Sequence, residues 1–132
     1  MASIFTRIIN GEIPCYKIAE NENYFAFLDI NPLTKGHTLV VPKKEIDYIF
    51  DIEDDLLEGI MLFSKKIAKA IDKTMQYKRV GISVIGLEVP HAHIHLIPFN
   101  KMSELNFSNP KLKFTKEEFE EIAEAIKKEL VF

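Results

Sequence analysis

Three histidines at alternate positions, followed by an apolar run, constrain the fold of this chain more than any other feature. The stretch VPHAHIHLIP, residues 89–98, carries His91, His93 and His95, with Ala92, Ile94 and Leu96 between or just after them. Polar and apolar residues in alternation are the period-2 pattern of a half-buried strand, in which side chains i, i+2 and i+4 share a face. The three imidazoles would form one row, with about 6.5 to 7 Å between successive members, while the other row enters a core. The whole chain holds four histidines, so three within five residues ask for a chemical reason.

With 132 residues, 47% of them hydrophobic, the chain is of a size for one domain with a substantial core. The net charge of -3 and a pI near 5.8 argue against a binder of long nucleic acid, which normally presents a basic face. A small anionic ligand remains allowed, because a few donors and local dipoles hold one phosphate. The single Cys15 forms no internal disulfide and no CxxC pair, which suits a reducing compartment. The N-terminal MASIFTRIINGEIP lacks a long apolar run after a basic region, and no segment reaches the ~18 apolar residues of a membrane span. The expectation is a soluble, cytoplasmic protein without membrane partners.

Periodicity and punctuation place the elements. SIFTRIING puts Ile4, Phe5, Ile8 and Ile9 at helical spacing before Gly11, a short helix ended by a permissive residue. CYKIAE and YFAFLD, separated by the polar NEN, form a hairpin, and HTLVVP is a strand that Pro42 ends. Over residues 54–74 the positions Leu57, Ile60, Met61, Ser64, Ile67, Ala68 and Ile71 recur at threes and fours, predicting a helix long enough to lie across a sheet. KRVGISVI and HAHIHLIP are two further strands joined through GLEVP, and residues 99–114 read as a loop. Thr115 with Glu118 is a capping box, and Phe114 with Phe119 a hydrophobic staple, so a last helix starts there. Its stripe is Phe119, Ile122, Ala123, Ile126 and Leu130. The fold class expected is α+β, a mainly antiparallel sheet of about five strands with helices packed on it.

Three readings compete for the histidine row. It is an incidental strand surface; or it is a zinc site, with Glu88 completing a shell that keeps one position open; or it is a site for nucleophilic catalysis at phosphorus. In the last, an imidazole that is neutral near pH 7 attacks, a neighbouring imidazole donates to phosphate or leaving group, and Gly86 in the turn IGLEV brings backbone N–H groups near the anion.

The run His91-Ala92-His93-Ile94-His95-Leu96-Ile97-Pro98 resembles the H-x-H-x-H of the histidine triad (HIT) nucleotide hydrolases and transferases, in their Hint-like branch. IFTRIINGEIPCYKI resembles that family's N-terminal helix and first strand, FAFLDINPLTKGHTLVVPKK its D-I-x-P-x-x-x-G-H-x-L-V-x-P-K-K segment, and GLEVPHAHIHLIP its G-Q-x-V-x-H-x-H-x-H segment. The resemblance covers about residues 3–98 of one HIT domain spanning 1–132, with 99–132 as a variable loop and helix. It implies that His93 attacks the α-phosphorus and becomes a nucleotidyl-histidine, that the His91 carbonyl fixes its tautomer, that His95 bonds the phosphate or bridging oxygen, and that His37 supports His91. It further implies that Asp29 accepts the ribose hydroxyls, that Ile4, Phe5, Ile8, Phe27 and Ile30 form the slot for a purine base, and that Ser83, Leu87, Glu88 and Val89 border the phosphate. No metal or cofactor would be required, and such proteins commonly form homodimers with a continuous sheet.

Three positions depart from the family pattern. Leu87 replaces the glutamine that follows the loop glycine, VGISVIG is shorter than the N-x-G-x-x-x-G-Q loop with Ser83 in place of its asparagine, and Glu45 replaces the histidine after P-K-K. Loss of a donor near the phosphate favours a second class of function, a nucleotide-binding regulatory module with little turnover.

Overall fold

The computed structural model of the chain describes residues 2–132. Ser3 caps the first helix, α1 (Ile4–Ile9), by accepting the Thr6 N–H on its side chain, and Gly11, at φ 82°, turns the chain out of it. Next come β1 (Lys17–Glu20), β2 (Tyr24–Leu28), β3 (Thr38–Pro42), the long helix α2 (Asp54–Thr74), β4 (Arg79–Ser83), β5 (Ile94–Phe99) and α3 (Lys116–Lys128). The strands make one antiparallel sheet in the order β1-β2-β3-β5-β4. This is the α+β architecture that the strand and helix patterns predict.

Strand periodicity divides the core in two. Tyr24, Ala26, Leu28, Val40, Ile94 and Leu96 point to one face, where they pack against Ile60, Phe63, Ile67 and Ile71 of α2 and Phe119, Ile122 and Ile126 of α3. Each such buried Leu, Ile or Phe contributes about 1.5–3 kcal/mol relative to leaving it exposed. Phe25, Phe27, Leu39 and Val41 point to the other face and pack against Phe5 of α1. The capping box of α3 forms as expected, with Thr115 Oγ1 accepting the Glu118 N–H and Glu118 accepting the Thr115 N–H. Phe114 and Phe119 meet edge to face with centroids 5.4 Å apart.

Two expectations need correction. The strand expected from His91 onward begins at Ile94, because the preceding backbone bonds elsewhere: the His91 N–H goes to the Val89 carbonyl and the Ala92 N–H to that of Ile46. Nor is the strand half-buried; every residue from 91 to 98 is buried, the histidines included. The loop over residues 99–114 is also not featureless. It holds a 3-10 turn, Met102–Leu105, whose Glu104 carboxylate accepts the Asn100 and Lys101 N–H groups, and it crosses back to bond Leu112 N–H to the Pro32 carbonyl.

Candidate active site

All four histidines lie on the α1 side of the sheet or at its margin. His95, in β5, stands opposite Leu39 of β3 on one side and Ser83 of β4 on the other. His93 and His91 occupy the irregular approach to β5, and His37 sits just before β3. The turn that delivers His37 requires Gly36 at φ 95°, where a Cβ would stand 2.7 Å from Met75 Cγ.

Hydrogen-bond partners settle each tautomer. A carbonyl can only accept, so His93 donates from Nδ1 to the His91 carbonyl at 2.8 Å, leaving the Nε2 lone pair free in the neutral ring. His91 donates from Nε2 to the Pro42 carbonyl at 2.8 Å and takes the Ser3 hydroxyl on Nδ1 at 2.7 Å. An N–H can only donate, so His37 Nδ1 accepts the Leu33 N–H at 3.0 Å. His37 Nε2 then carries its proton and donates it to His95 Nδ1 at 3.0 Å, so His37 supports His95 and not, as expected, His91, whose ring nitrogens are taken by Ser3 and Pro42. That places the remaining proton of neutral His95 on Nε2. The result is an unprotonated nitrogen on His93 beside a donating nitrogen on His95, in rings whose centroids are 4.9 Å apart.

Burial favours the neutral form of His93, His95 and His37. It is the main cause that lowers His93 from the ordinary imidazole value of 6.5, against an opposing hydrogen bond to the His91 carbonyl. It brings His95 down to about 4, with the charge of His93 a lesser cause. His37 falls to about 3 through burial first, then His95, Lys111 and His93. Asp29 Oδ2 lies 3.6 Å from His37 Nε2, beyond hydrogen-bond range, and a neutral His37 makes no ion pair with it. Burial raises Asp29, opposed by the Asn31 N–H and the charge of Lys111.

The expected nucleotide-contacting residues divide. Phe5, Ile8, Phe27 and Val89 share one apolar cluster, and Phe5 meets His93 edge to face at 4.9 Å. Ile4 is 47% exposed and Ile30 62% exposed; Ile30 lines a groove with Cys15, Tyr16 and the α3 residue Ala123, and Cys15 also packs against that cluster. Asp29 is half-buried near His37. Ser83 is half-buried beside His95, and Leu87, at 89% exposed, turns to solvent. Glu88 is exposed, yet its charge reaches both His93 and Asp29, raising each.

Two nearby residues carried no sequence signal. Phe107 covers His95 edge to face at 4.9 Å and reaches His37 at 6.3 Å, and Lys111 acts on Asp29 and His37 through its charge. Both lie in the aperiodic loop. Asp29, His37 and His95 present donor atoms within 4.8 Å of one another, close enough to face a single ion. Both nitrogens of His37 and Nδ1 of His95 are committed to hydrogen bonds, so an ion there would displace the bonds that orient His95.

The HIT domain family model matches residues 10–102. An adenosine 5'-monophosphoramidase of Schizosaccharomyces pombe is 34% identical over 128 residues, covering 96% of each chain. A HIT-like protein of Bartonella henselae superimposes with a TM-score of 0.83 at 31% identity, over 97% of this chain and 96% of its own. A zinc-bound histidine triad protein of Mycobacterium smegmatis does so with 0.83 at 27% identity, over 98% and 93%. By sequence and fold alike, this chain belongs to the HIT domain family.

Proposed function

We propose that the protein is a hydrolase or transferase that moves a nucleoside monophosphate, purine in preference, from a phosphoramidate, an aminoacyl adenylate or a dinucleoside polyphosphate. The observation that carries this is the tautomer pattern: His93 Nδ1 is held by a carbonyl, so Nε2 is the nucleophile, and His95 offers a donor beside it. His93 Nε2 attacks the α-phosphorus and a P–N(His) bond forms as the bond to the leaving group breaks. His95 Nε2–H bonds the phosphoryl or bridging oxygen where charge collects. Water or an acceptor alcohol then attacks phosphorus, breaks the P–N(His) bond and returns the imidazole. Splitting one displacement into two needs no metal. Phe5, Ile8 and Phe27 would take the base and Asp29 the ribose hydroxyls, a reading supported by the phosphoramidase named among the relatives. The lone Cys15 suits a reducing cytoplasm.

A second reading has its own observation: Leu87 points into solvent and supplies no side-chain donor, so the protein would be a nucleotide-binding module with slow turnover. Loss of one oxyanion donor costs about 100- to 1000-fold in rate without abolishing binding. Calorimetry with a nonhydrolysable adenylate, run beside a turnover assay on adenosine 5'-phosphoramidate, separates the two. Binding with rapid turnover is expected; binding with turnover near background would favour the module, and neither binding nor turnover would overturn both.

A further inference from the structure

We propose that Glu45 is a positioning residue, which acts through Ser3 and His91 to fix the orientation in which His93 presents Nε2. This rests on reading His93 as the nucleophile. Glu45 Oε1 accepts the Ser3 N–H at 2.7 Å and the Thr6 hydroxyl at 2.6 Å, both assisted by its charge. The same Ser3 donates its hydroxyl to His91 Nδ1 at 2.7 Å, while its Oγ accepts the Thr6 N–H at 3.1 Å.

A six-residue helix such as α1 has little stability of its own, so its first turn is held from outside. Glu45 holds it against the irregular segment that leads into β5. The next residue completes the clamp. Ile46 takes the Ala92 N–H on its carbonyl at 2.7 Å, and that N–H belongs to the same peptide unit as the His91 carbonyl that holds His93 Nδ1. The Pro42 carbonyl accepts the His91 Nε2–H at 2.8 Å. Residues 42–46 therefore grip the His91–Ala92 peptide through Pro42, through Ile46, and through Glu45 by way of Ser3. Glu45 itself is exposed, so removing its carboxylate takes away no core packing. Two hydrogen bonds also hold that carboxyl far below the usual range, to about 2, those from the Thr6 hydroxyl and the Ser3 N–H. It is charged throughout the neutral range.

The test compares Glu45→Ala, Glu45→Gln, Ser3→Ala and Ser3→Thr in the full chain. Histidine side-chain 15N shifts are read in each, together with kcat and KM on adenosine 5'-phosphoramidate. Glu45→Ala and Ser3→Ala are expected to lower kcat about 10- to 100-fold with KM nearly unchanged, the scale of a small misplacement at a reacting centre. Glu45→Gln and Ser3→Thr, which keep an acceptor and a hydroxyl, should restore most of it. In the alanine variants the His93 15N shifts should move toward a mixture of tautomers. Wild-type kcat and unmoved His93 resonances in folded Glu45→Ala would overturn the proposal. So would a kcat loss that cooling below the melting transition abolishes, since that is a stability effect alone. If the wild-type chain itself shows no turnover, the functional reading fails, and the His93 shifts still decide whether Glu45 sets the tautomer.

Discussion

At the residue scale the site depends on neutral imidazoles, and that fixes its pH behaviour. A histidine lowered on folding binds fewer protons in the native chain than in the unfolded one across the interval between the two values. The stability it contributes is therefore present above the unfolded value and lost as pH falls toward the folded one. For His95 and His37 that interval runs from 6.5 down to about 4 and about 3. Urea midpoints should thus fall steadily as pH drops below about 6.5, and the acid limb of kcat/KM should lie below that value, since His93 is also lowered. A limb at or above 6.5 would mean that the imidazoles are not desolvated. His37→Ala should cost about 2–4 kcal/mol, because it opens a buried cavity and leaves the Leu33 N–H and His95 Nδ1 without partners; chemical denaturation measures this. That the four histidines and Asp29 belong together was legible through the matched motifs; that His37 bonds His95 was not. The partners of Glu45 and the cover given by Phe107 were not, because they depend on contacts across 39 to 42 positions or on an aperiodic loop.

At the element scale, period and capping predicted type well and the limits of hydrogen bonding poorly. Residues 54–74 show an uninterrupted apolar stripe and form α2 over those residues, and Thr115 begins α3 with both bonds of its box. The alternation HAHIH, by contrast, reports extended backbone and says nothing about where the ladder stops; β3 pairs only as far as Ile94. Three substitutions probe these elements by urea unfolding. Thr115→Ala should cost about 1 kcal/mol through the lost cap. Gly59→Ala gains about 1 kcal/mol of helix propensity, but its Cβ would collide with the buried Tyr24 hydroxyl, which bonds the Leu56 carbonyl at 2.9 Å. Overpacking costs about 1–3 kcal/mol, so a net loss is expected. Ser64 is the reverse case: its buried hydroxyl has no partner among the described residues. Ser64→Ala should therefore stabilise the protein, by up to about 1 kcal/mol.

At the scale of the whole molecule, the sheet ends at β4, and the apolar residues there face outward: Ile82 is 54% exposed, Val84 38% and Ile85 46%. An open apolar edge invites a second copy, and a two-fold pairing through β4 and the exposed Met61 and Leu62 of α2 uses the same patch twice. Sedimentation at micromolar concentration should return the mass of two chains, and Ile82→Glu the 15.2 kDa of one; a wild-type monomer would contradict the pairing. No described helix is long and apolar enough to cross a membrane. The fold was readable at this scale because two opposed apolar faces and five strands leave few arrangements, whereas assembly depends on surfaces that only the folded sheet brings together. What unites the scales is the neutral Nε2 of His93, and one measurement addresses it directly. Adenosine 5'-phosphoramidate labelled in the nucleotide is mixed with the protein, quenched without acid within a turnover, and the digest analysed for phosphoramidate-linked nucleotide. The account predicts label on His93 that forms and decays at rates consistent with turnover; turnover without that label, or label on another residue, would contradict it.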